Sequence, residues 1–598
     1  MYEEDIGMLK ALIALGAEVN VGVHNSCVTP LHFATQQQQH KEMIRILMEA
    51  GADCATMDET GATPLTTAAH FGQVEAVKVL VELGDDVNTA PHRCVEAIVR
   101  AAGRGHVGVI KALAELGVDV KTFNGEGVTP VFVAVKHGQV DSIKCLVELG
   151  VDVKAPCCSS TRSSLAPLHV AAYRGHQQCV KVLNELGADI NETQAAGLTA
   201  LYIAAEAGDV AMLKLLAGLG ANVNKPRHNG CTPLYVAAMQ GNVEVMKALL
   251  DLGADINIAE FEMGSTPACV ATHDGHVDAL RLLLDQGIDV NCAQNADGTT
   301  LLCVAAKMGH VEMIRMLAEL GADVNKGDKK GVVPVHQAVQ ENEVQAIRVL
   351  FELGADLNVR SAEGCTAMYR AAYYGHVDSI KLLVELGVAV SETGAESPLF
   401  VGARKGKLAA VKALIELGAD VNAVGRYGLS LEGVAARMGH VNVVKALVDL
   451  GADVDIADEN NDTPLMSAVN FNHVEVAKYL VNIGAGGTRL LLLTWLDNVA
   501  VDWSVAKFNN SKIIDQKSKD TNYTLRTSQQ QVLFPLTNLL LSSKYTNTSP
   551  KDDASSRYKE EASVATALLG VLTDANLDVI KSCSFSLTRR LARIAWRV

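Results

Sequence analysis

Apolar residues recur along most of the chain at intervals of three and four, in short blocks separated by glycines and polar turns. In one such block Val443 and Leu447 are apolar, whereas Lys445 between them is charged. This spacing is typical of an amphipathic helix that buries one side. Gly439 before the block and Gly451 after it can adopt the left-handed backbone that ends a helix. The pattern therefore predicts a short helix between two glycines.

A shorter helix is predicted before each of these blocks. Thr63 supplies a hydroxyl that can cap a helix, and the ring of Pro64 fixes a φ angle suited to its first turn. The small pair Ala68-Ala69 allows a neighbouring helix to approach closely, and Gly72 breaks the helix. The predicted unit is thus a helix, a turn, a second helix and a hairpin loop.

This unit repeats with a period of 33 residues. Its closing glycine falls at Gly16, Gly51, Gly84, Gly117, Gly150, Gly187, Gly220, Gly253, Gly287, Gly321, Gly354, Gly387, Gly418, Gly451 and Gly484. Nine of the fourteen steps between these glycines are 33 residues long. A fixed period in this range indicates stacked units that bury their apolar faces against one another. Arrays of this kind usually bind other molecules rather than catalyse reactions.

One segment matches a known repeat signature in full. Residues Thr29 to Ala34 read Thr-Pro-Leu-His-Phe-Ala, which fits the T-P-L-H-x-A pattern of ankyrin repeats, and looser copies begin at Thr63, Pro167, Thr232 and Thr463. The chain therefore resembles an ankyrin repeat protein from its start to about residue 484. The resemblance implies an all-α solenoid with a helix-turn-helix and a hairpin loop per repeat. The period is lost after Gly487, so the sequence further predicts a non-repeat, partly disordered C-terminal tail.

The repeat pattern also predicts the domain boundaries. Residues 1–20 supply only a second helix, and we interpret them either as a half-repeat cap or as the remnant of a truncated repeat. Residues 21–487 form the array of about fourteen repeats, in which the segment starting at Cys94 lacks the Thr-Pro start and the step from Gly387 to Gly418 is two residues short. Residues 488–598 form the tail, with a polar linker at 505–560 and a C-terminal helical segment.

Charge separates the array from the tail. The chain has a formal net charge of −16, and the residues from Ala485 onward carry 15 Lys and Arg against 10 Asp and Glu, which leaves −21 for the array. An array this acidic would repel nucleic acid. The acidic start of the chain does not resemble a secretory signal, and no apolar run is long enough to span a bilayer. We therefore expect a cytoplasmic or nuclear protein without a transmembrane segment.

The sequence offers no catalytic constellation. Histidines recur after the turn glycine, at His106, His176, His276, His310, His376 and His440, where we expect each to bond within its turn. Cys157 and Cys158 are adjacent rather than spaced for a metal, and the other cysteines are interpreted as small reduced hydrophobes. We expect no enzyme activity, no cofactor and no metal site.

Candidate binding residues lie between the alanine pair and the turn glycine of each repeat, where the pattern leaves the residue type free. In ankyrin folds these positions line the concave groove beside the hairpin tips. The candidates are His70, Phe71, Arg104, Lys136, Tyr173, Arg174, Met239, Lys307, Tyr373, Tyr374, Arg404, Lys405, Arg437, Met438 and Phe471. Arg, Tyr, Phe and Met are enriched at protein interfaces. The alternative is an ordinary solvated face.

Two functions remain open at this stage. The first is a non-enzymatic scaffold or adaptor that binds partner proteins, including ones with acidic segments, along the groove and hairpin tips. The second is a ubiquitin-ligase substrate receptor, because Ser586 to Ala595 is similar to the start of the SOCS box that some ankyrin proteins carry. This segment has Leu591 where that box usually has Cys, and the chain ends before the downstream Leu-Pro-rich element.

Overall fold

A computed structural model of the chain describes residues 2–22, 27–36, 40–84, 91–124, 127–154, 166–291, 293, 297–390 and 397–485. The chain divides into two compact units, Met1–Val304 and Ala305–Val598. Each unit is described by itself. The predicted linker, the C-terminal helical segment and the SOCS-box-like segment all lie outside the described residues.

The described residues of the first unit are helices joined by turns and loops. Its helices are α1 Tyr2–Ala14, α2 Pro30–Ala34, α3 Lys41–Glu49, α4 Pro64–His70, α5 Val74–Leu83, α6 Pro91–Arg104, α7 Val107–Glu115, α8 Pro130–Lys136, α9 Val140–Glu148, α10 Pro167–Tyr173, α11 Gln177–Glu185, α12 Ala200–Glu206, α13 Val210–Gly218, α14 Pro233–Met239, α15 Val243–Asp251, α16 Pro267–His273 and α17 Val277–Asp285.

The second unit continues the same alternation of short helices. The boundary falls within α18 Leu301–Lys307, and the later helices are α19 Val311–Glu319, α20 Pro334–Gln340, α21 Val344–Glu352, α22 Ala367–Tyr374, α23 Val377–Glu385, α24 Pro398–Arg404, α25 Leu408–Glu416, α26 Leu431–Arg437, α27 Val441–Asp449, α28 Pro464–Asn470 and α29 Val474–Asn482. The described part of the chain contains no strand, only isolated bridges such as Val424 with Ser430. The predicted all-α repeat fold is confirmed.

The helix ends form as the sequence predicts. The Thr63 hydroxyl oxygen accepts a hydrogen bond from the Thr66 N–H at 3.3 Å, which caps α4, and Gly72 after α4 has a φ of 75°. The repeat that starts without Thr-Pro differs, because α6 begins at Pro91 and runs for 14 residues to Arg104. The missing start thus lengthens the first helix of this repeat rather than abolishing it.

Buried leucines and alanines hold neighbouring repeats together. First helices pack on first helices, as α4 does on α6, and second helices on second helices, as α5 does on α7. Ala68 and Ala69 on α4 are fully buried, as are Leu80 on α5 and Leu113 on α7. Each fully buried leucine contributes roughly 1.5–3 kcal/mol. The small first-helix residues allow the close approach that buries these leucines.

Turn histidines connect successive repeats at His106, His176, His276, His376 and His440, which corrects the expectation that each bonds within its own turn. Nε2 of His106 lies 2.9 Å from the carbonyl oxygen of His70, 36 residues earlier, and Nε2 of His440 lies 3.0 Å from that of Arg404. Each carbonyl sits at the end of the preceding first helix, where intrahelical partners run out. The histidine therefore satisfies a helix end of its neighbour.

None of the repeat cysteines that the structure describes forms a disulfide. The buried ones are Cys94, Cys145, Cys179, Cys231, Cys269 and Cys303. Burial raises the pKa of the Cys179 thiol to about 11. Such thiols are poor nucleophiles, because the thiolate is the reactive form.

Candidate protein-binding surface

The candidate residues occupy one structural position in repeat after repeat. Each is the last residue of a first helix or the residue that follows it, except Tyr373, which is last but one in α22. In the first unit these are His70, Phe71, Arg104, Lys136, Tyr173, Arg174 and Met239; in the second they are Lys307, Tyr373, Tyr374, Arg404, Lys405, Arg437, Met438 and Phe471. All are exposed except His70 and Tyr373, which are half-buried.

The first unit brings few of these side chains together. The guanidinium carbon of Arg174 lies 5.8 Å from the centroid of the neighbouring Tyr173 ring, and the rings of His70 and Phe71 meet edge to face at 5.1 Å. Burial, together with the positive charge of Arg104, lowers the pKa of His70. His70 is therefore neutral at neutral pH and adds no charge to this surface.

Three tyrosines on α22 form the centre of a denser cluster in the second unit. Tyr369 and Tyr373 stack with centroids 6.4 Å apart, and Tyr373 meets Tyr374 edge to face at 5.0 Å. Tyr374 in turn stacks on the His376 ring at 5.9 Å. Aromatic pairs at these separations are favourable. The cluster presents a continuous series of rings at the end of one first helix.

The next repeat places two cations against these rings. The Lys405 ammonium nitrogen lies 4.6 Å from the centroid of the Tyr373 ring, within the range of a cation–π interaction. Nη2 of Arg404 donates to the Tyr369 hydroxyl oxygen at 3.1 Å. The contacts fix both side chains while leaving their charges exposed to solvent.

A second cation–π pair lies further along the same unit. The guanidinium carbon of Arg437, at the end of α26, is 4.6 Å from the centroid of the Phe471 ring, which follows α28. We call Tyr369, Tyr373, Tyr374, Arg404, Lys405, Arg437 and Phe471 the aromatic-basic surface. Lys307 and Met438 share the helix-end position but are not counted as part of this surface.

Tyr369 belongs to this surface although it is absent from the residues predicted to bind. It follows Thr366 by three residues, the place of the histidine in T-P-L-H-x-A, which makes it look like part of the repeat framework. The spacing of four between Tyr369 and Tyr373 places both on one side of a helix and is the signal that could have identified it.

This surface combines exposed cations with aromatic rings. Exposed cations held beside rings can pair with carboxylates while the rings cover apolar atoms of a partner. Among the described residues, no group of three or more His, Cys, Asp or Glu is arranged to hold a metal ion. None of the described helices is long and apolar enough to cross a membrane.

Family models agree with this architecture. A model for ankyrin repeats in three copies matches residues 1–90, 168–260, 259–328, 335–425 and 427–489, and a model for ankyrin repeats in many copies matches residues 98–147. The chain belongs to the ankyrin repeat family. Members of this family are generally modules for protein–protein interaction and are typically non-enzymatic.

Individual relatives add little to this assignment. The solved human ASB11 ankyrin repeat domain is 28% identical to this ankyrin repeat protein over 38% of the chain and 100% of that domain, with a TM-score of 0.34. No curated protein matches the sequence.

Proposed function

We propose that this ankyrin repeat protein is a non-enzymatic adaptor that binds a partner protein through the aromatic-basic surface. The observation that carries the proposal is the pair of cation–π contacts, Lys405 on Tyr373 and Arg437 on Phe471, both at 4.6 Å, at the first-helix ends of one unit. The aromatic rings are rigid, and the cationic side chains are already ordered by their contacts with the rings. These side chains therefore lose little conformational entropy when a partner binds, which favours affinity.

The charge of this surface favours an acidic partner segment. Arg404, Lys405 and Arg437 are exposed cations within an array whose net charge is −21. A carboxylate that approaches them gains charge-assisted hydrogen bonds, whereas a basic segment would be repelled by the cations. The expected partner therefore carries Asp or Glu beside an apolar or aromatic residue that packs on the tyrosines.

Selection from a phage-displayed library of random peptides on the full-length protein tests this proposal. We expect a class of acidic peptides whose affinity falls at least tenfold, about 1.4 kcal/mol, when Tyr373 and Lys405 are both replaced by Ala. Circular dichroism should remain helical, because Lys405 is exposed and Tyr373 is only half-buried.

A matched control is available on the second helices of the same unit. There the Lys445 ammonium nitrogen lies 5.5 Å from the centroid of the Tyr479 ring, which gives the same pair of residue types away from the first-helix ends. Replacement of Lys445 and Tyr479 by Ala should leave peptide binding unchanged. Equal binding by wild type and by the Tyr373/Lys405 variant would refute the site.

The substrate-receptor function depends on residues 586–595, which lie outside the described residues. It stays a prediction of the sequence.

A further inference from the structure

One hairpin tip of the first unit exposes two large apolar side chains close together in sequence. Residues 260–264 read Glu-Phe-Glu-Met-Gly, and the Phe261 and Met263 residues are 69% and 71% exposed. Leaving apolar area of this size in water is unfavourable. Most of the surface of each side chain is therefore left outside the packing of the repeats.

Hydrogen bonds hold this tip in a fixed conformation. The Glu260 carboxylate accepts from the backbone N–H groups of Glu262, Met263 and Ser265 at 2.8, 2.6 and 3.2 Å. Burial alone would raise the pKa of Glu260, but these N–H groups hold it below its usual range, so the carboxylate is charged at neutral pH. The loop that carries Phe261 and Met263 is therefore ordered before any partner arrives.

The preceding repeat also positions Phe261. Its N–H donates to the carbonyl oxygen of Asn229 at 2.9 Å. Its ring lies over Gly230, whose missing Cβ would stand 2.7 Å from the Phe261 Cδ1 atom. A preorganised aromatic side chain loses little entropy on binding, and aromatic anchors of this kind dominate protein interfaces.

The surroundings of the tip are acidic. From the residue after the closing glycine to the residue after the first helix, the three repeats around it, residues 188–207, 221–240 and 254–274, contain seven Asp and Glu but only two cations, Lys225 and Arg227. Both cations are already engaged. The Lys225 ammonium donates to the Asn191 carbonyl oxygen at 2.7 Å, and Nη1 of Arg227 lies 3.5 Å from the Tyr202 hydroxyl oxygen.

The charge balance of these segments makes the surroundings of the apolar tip negative, the opposite of the aromatic-basic surface. The Tyr235 hydroxyl of α14 lies in this environment: burial raises its pKa, and the charges of Glu260 and Asp274 are among those that raise it further.

We propose that Phe261, Met263 and the flanking Glu260 and Glu262 form a second interaction surface, the acidic tip, which binds a basic segment of a partner protein. An aliphatic or aromatic residue of that segment packs on Phe261 and Met263, and flanking Lys or Arg pair with the carboxylates. Charge complementarity selects this occupant, because seven Asp and Glu outnumber the two cations in the segments around the tip. An adaptor with two surfaces of opposite charge holds two different partners.

The same peptide selection on the full-length protein tests the acidic tip separately from the aromatic-basic surface. We expect a second class of peptides, with Lys or Arg around an apolar residue. Their affinity should fall at least tenfold in the Phe261→Ala/Met263→Ala variant and several-fold in Glu262→Lys, and should not change when Tyr373 and Lys405 are replaced. Phe123→Ala serves as the control, since Phe123 is a 44% exposed phenylalanine of another loop in the first unit.

Several results would overturn the proposal. If basic peptides bind the Phe261→Ala/Met263→Ala variant as tightly as wild type, their binding site lies elsewhere. If the selection yields no basic peptides, the proposed binding of a basic segment is wrong. Helical circular dichroism of each variant separates loss of binding from loss of folding. If a chain that ends before residue 586 binds the basic peptides more tightly than the full chain, the occupant is this protein's own Arg589–Arg597 region rather than a partner.

Discussion

The imidazole of His473 lies against Gly439 of the preceding repeat. Its Nε2 is 2.9 Å from the carbonyl oxygen of Arg437, and a Cβ on Gly439 would stand 2.5 Å from its Nδ1. Gly439 also has a φ of 77°. Glycine is therefore favoured at this position for two reasons: its backbone is left-handed, and the His473 ring occupies the space that a Cβ would need.

Replacing Gly439 by Ala should destabilise the repeats around it more than backbone strain alone predicts. The left-handed conformation costs a residue with a Cβ about 1–2 kcal/mol, and the new methyl group would also push His473 off the Arg437 carbonyl, a bond that contributes about 1 kcal/mol. The midpoint of urea unfolding, followed by circular dichroism, measures the effect.

The chain offers a matched control for this experiment. Gly451 has a φ of 89°, but a Cβ there would meet nothing within 4 Å. Gly451→Ala should therefore show the backbone cost alone, and so should Gly439→Ala in a His473→Ala background. Equal losses for Gly439→Ala and Gly451→Ala in the wild-type background would show that the histidine contact does not contribute.

The repeat itself could be read from the sequence because each of its signals is local. Thr63, Pro64 and Gly72 act on the backbone within a few residues, and the structure confirms a capped helix that ends at His70, two residues before this glycine. The partner of His106 could not be predicted in this way. Its partner, the carbonyl of His70, lies 36 residues earlier in the chain. The two groups meet only because one repeat stacks on the next.

The candidate surface was predictable in position but not in detail. Periodicity placed Lys405 and Arg437 at first-helix ends, but the ring that each cation covers depends on side-chain rotamers. The exposed tip at Phe261 was not predicted, because the periodic signal singles out helix ends rather than loops. Glu432 was not predicted either, since a single polar residue within a regular repeat looks like an ordinary substitution.

Glu432 should make stability depend on pH. It is fully buried on α26, where other repeats have residues such as Leu65, and neither carboxylate oxygen has a hydrogen-bond partner among the described residues. Burial, with the charge of Asp453, raises the pKa of Glu432 to about 7 from 4.5. The folded state thus binds a proton that the unfolded chain releases, so stability should fall by up to roughly 3 kcal/mol as pH rises from about 4.5 through about 7.

Two variants test the role of this carboxyl group. At a pH above 7, Glu432→Leu should unfold at a higher urea concentration than wild type, and its stability should no longer fall as the pH rises. Replacement of the exposed Glu416 by Gln should leave the dependence of stability on pH as in wild type. The midpoint of urea unfolding, measured across this pH range for each variant, distinguishes these outcomes. A profile of Glu432→Leu that parallels wild type would show that another group titrates.

Binding of acidic peptides should weaken as salt is added, because the aromatic-basic surface acts partly through exposed charge. Lys405→Gln removes the ammonium group above the Tyr373 ring and should lower both the affinity and its dependence on salt, whereas Lys405→Arg keeps the charge and should retain most of both. Fluorescence anisotropy of a labelled peptide at several salt concentrations measures this. A salt dependence that Lys405→Gln leaves unchanged would contradict it.

Asparagine side chains bridge successive hairpins, and Asn224 shows the geometry. Its Nδ2 donates to the Gly253 carbonyl oxygen at 3.2 Å, and its Oδ1 accepts from the Asp255 N–H at 2.8 Å. Asn224→Ala removes both bonds and should cost about 1 kcal/mol, more than most surface substitutions. Asn222→Ala, which loses only a bond within its own loop, is expected to cost less.

Lys121 occupies the place of this asparagine in another repeat and offers the reverse test. It precedes Gly150 by 29 residues, as Asn224 precedes Gly253, and its ammonium nitrogen lies 3.5 Å from where a Cβ of Gly150 would be. Lys121→Asn should therefore form the bridge to the Gly150 carbonyl and the Asp152 N–H and raise stability by about 1 kcal/mol. Lys121→Ala is the control, because it also removes the lysine side chain but introduces no amide group to form the bridge. The difference in stability between the two variants therefore measures the bridge alone. If Lys121→Asn and Lys121→Ala unfold at the same urea concentration, the asparagine bridge contributes no stability at this position.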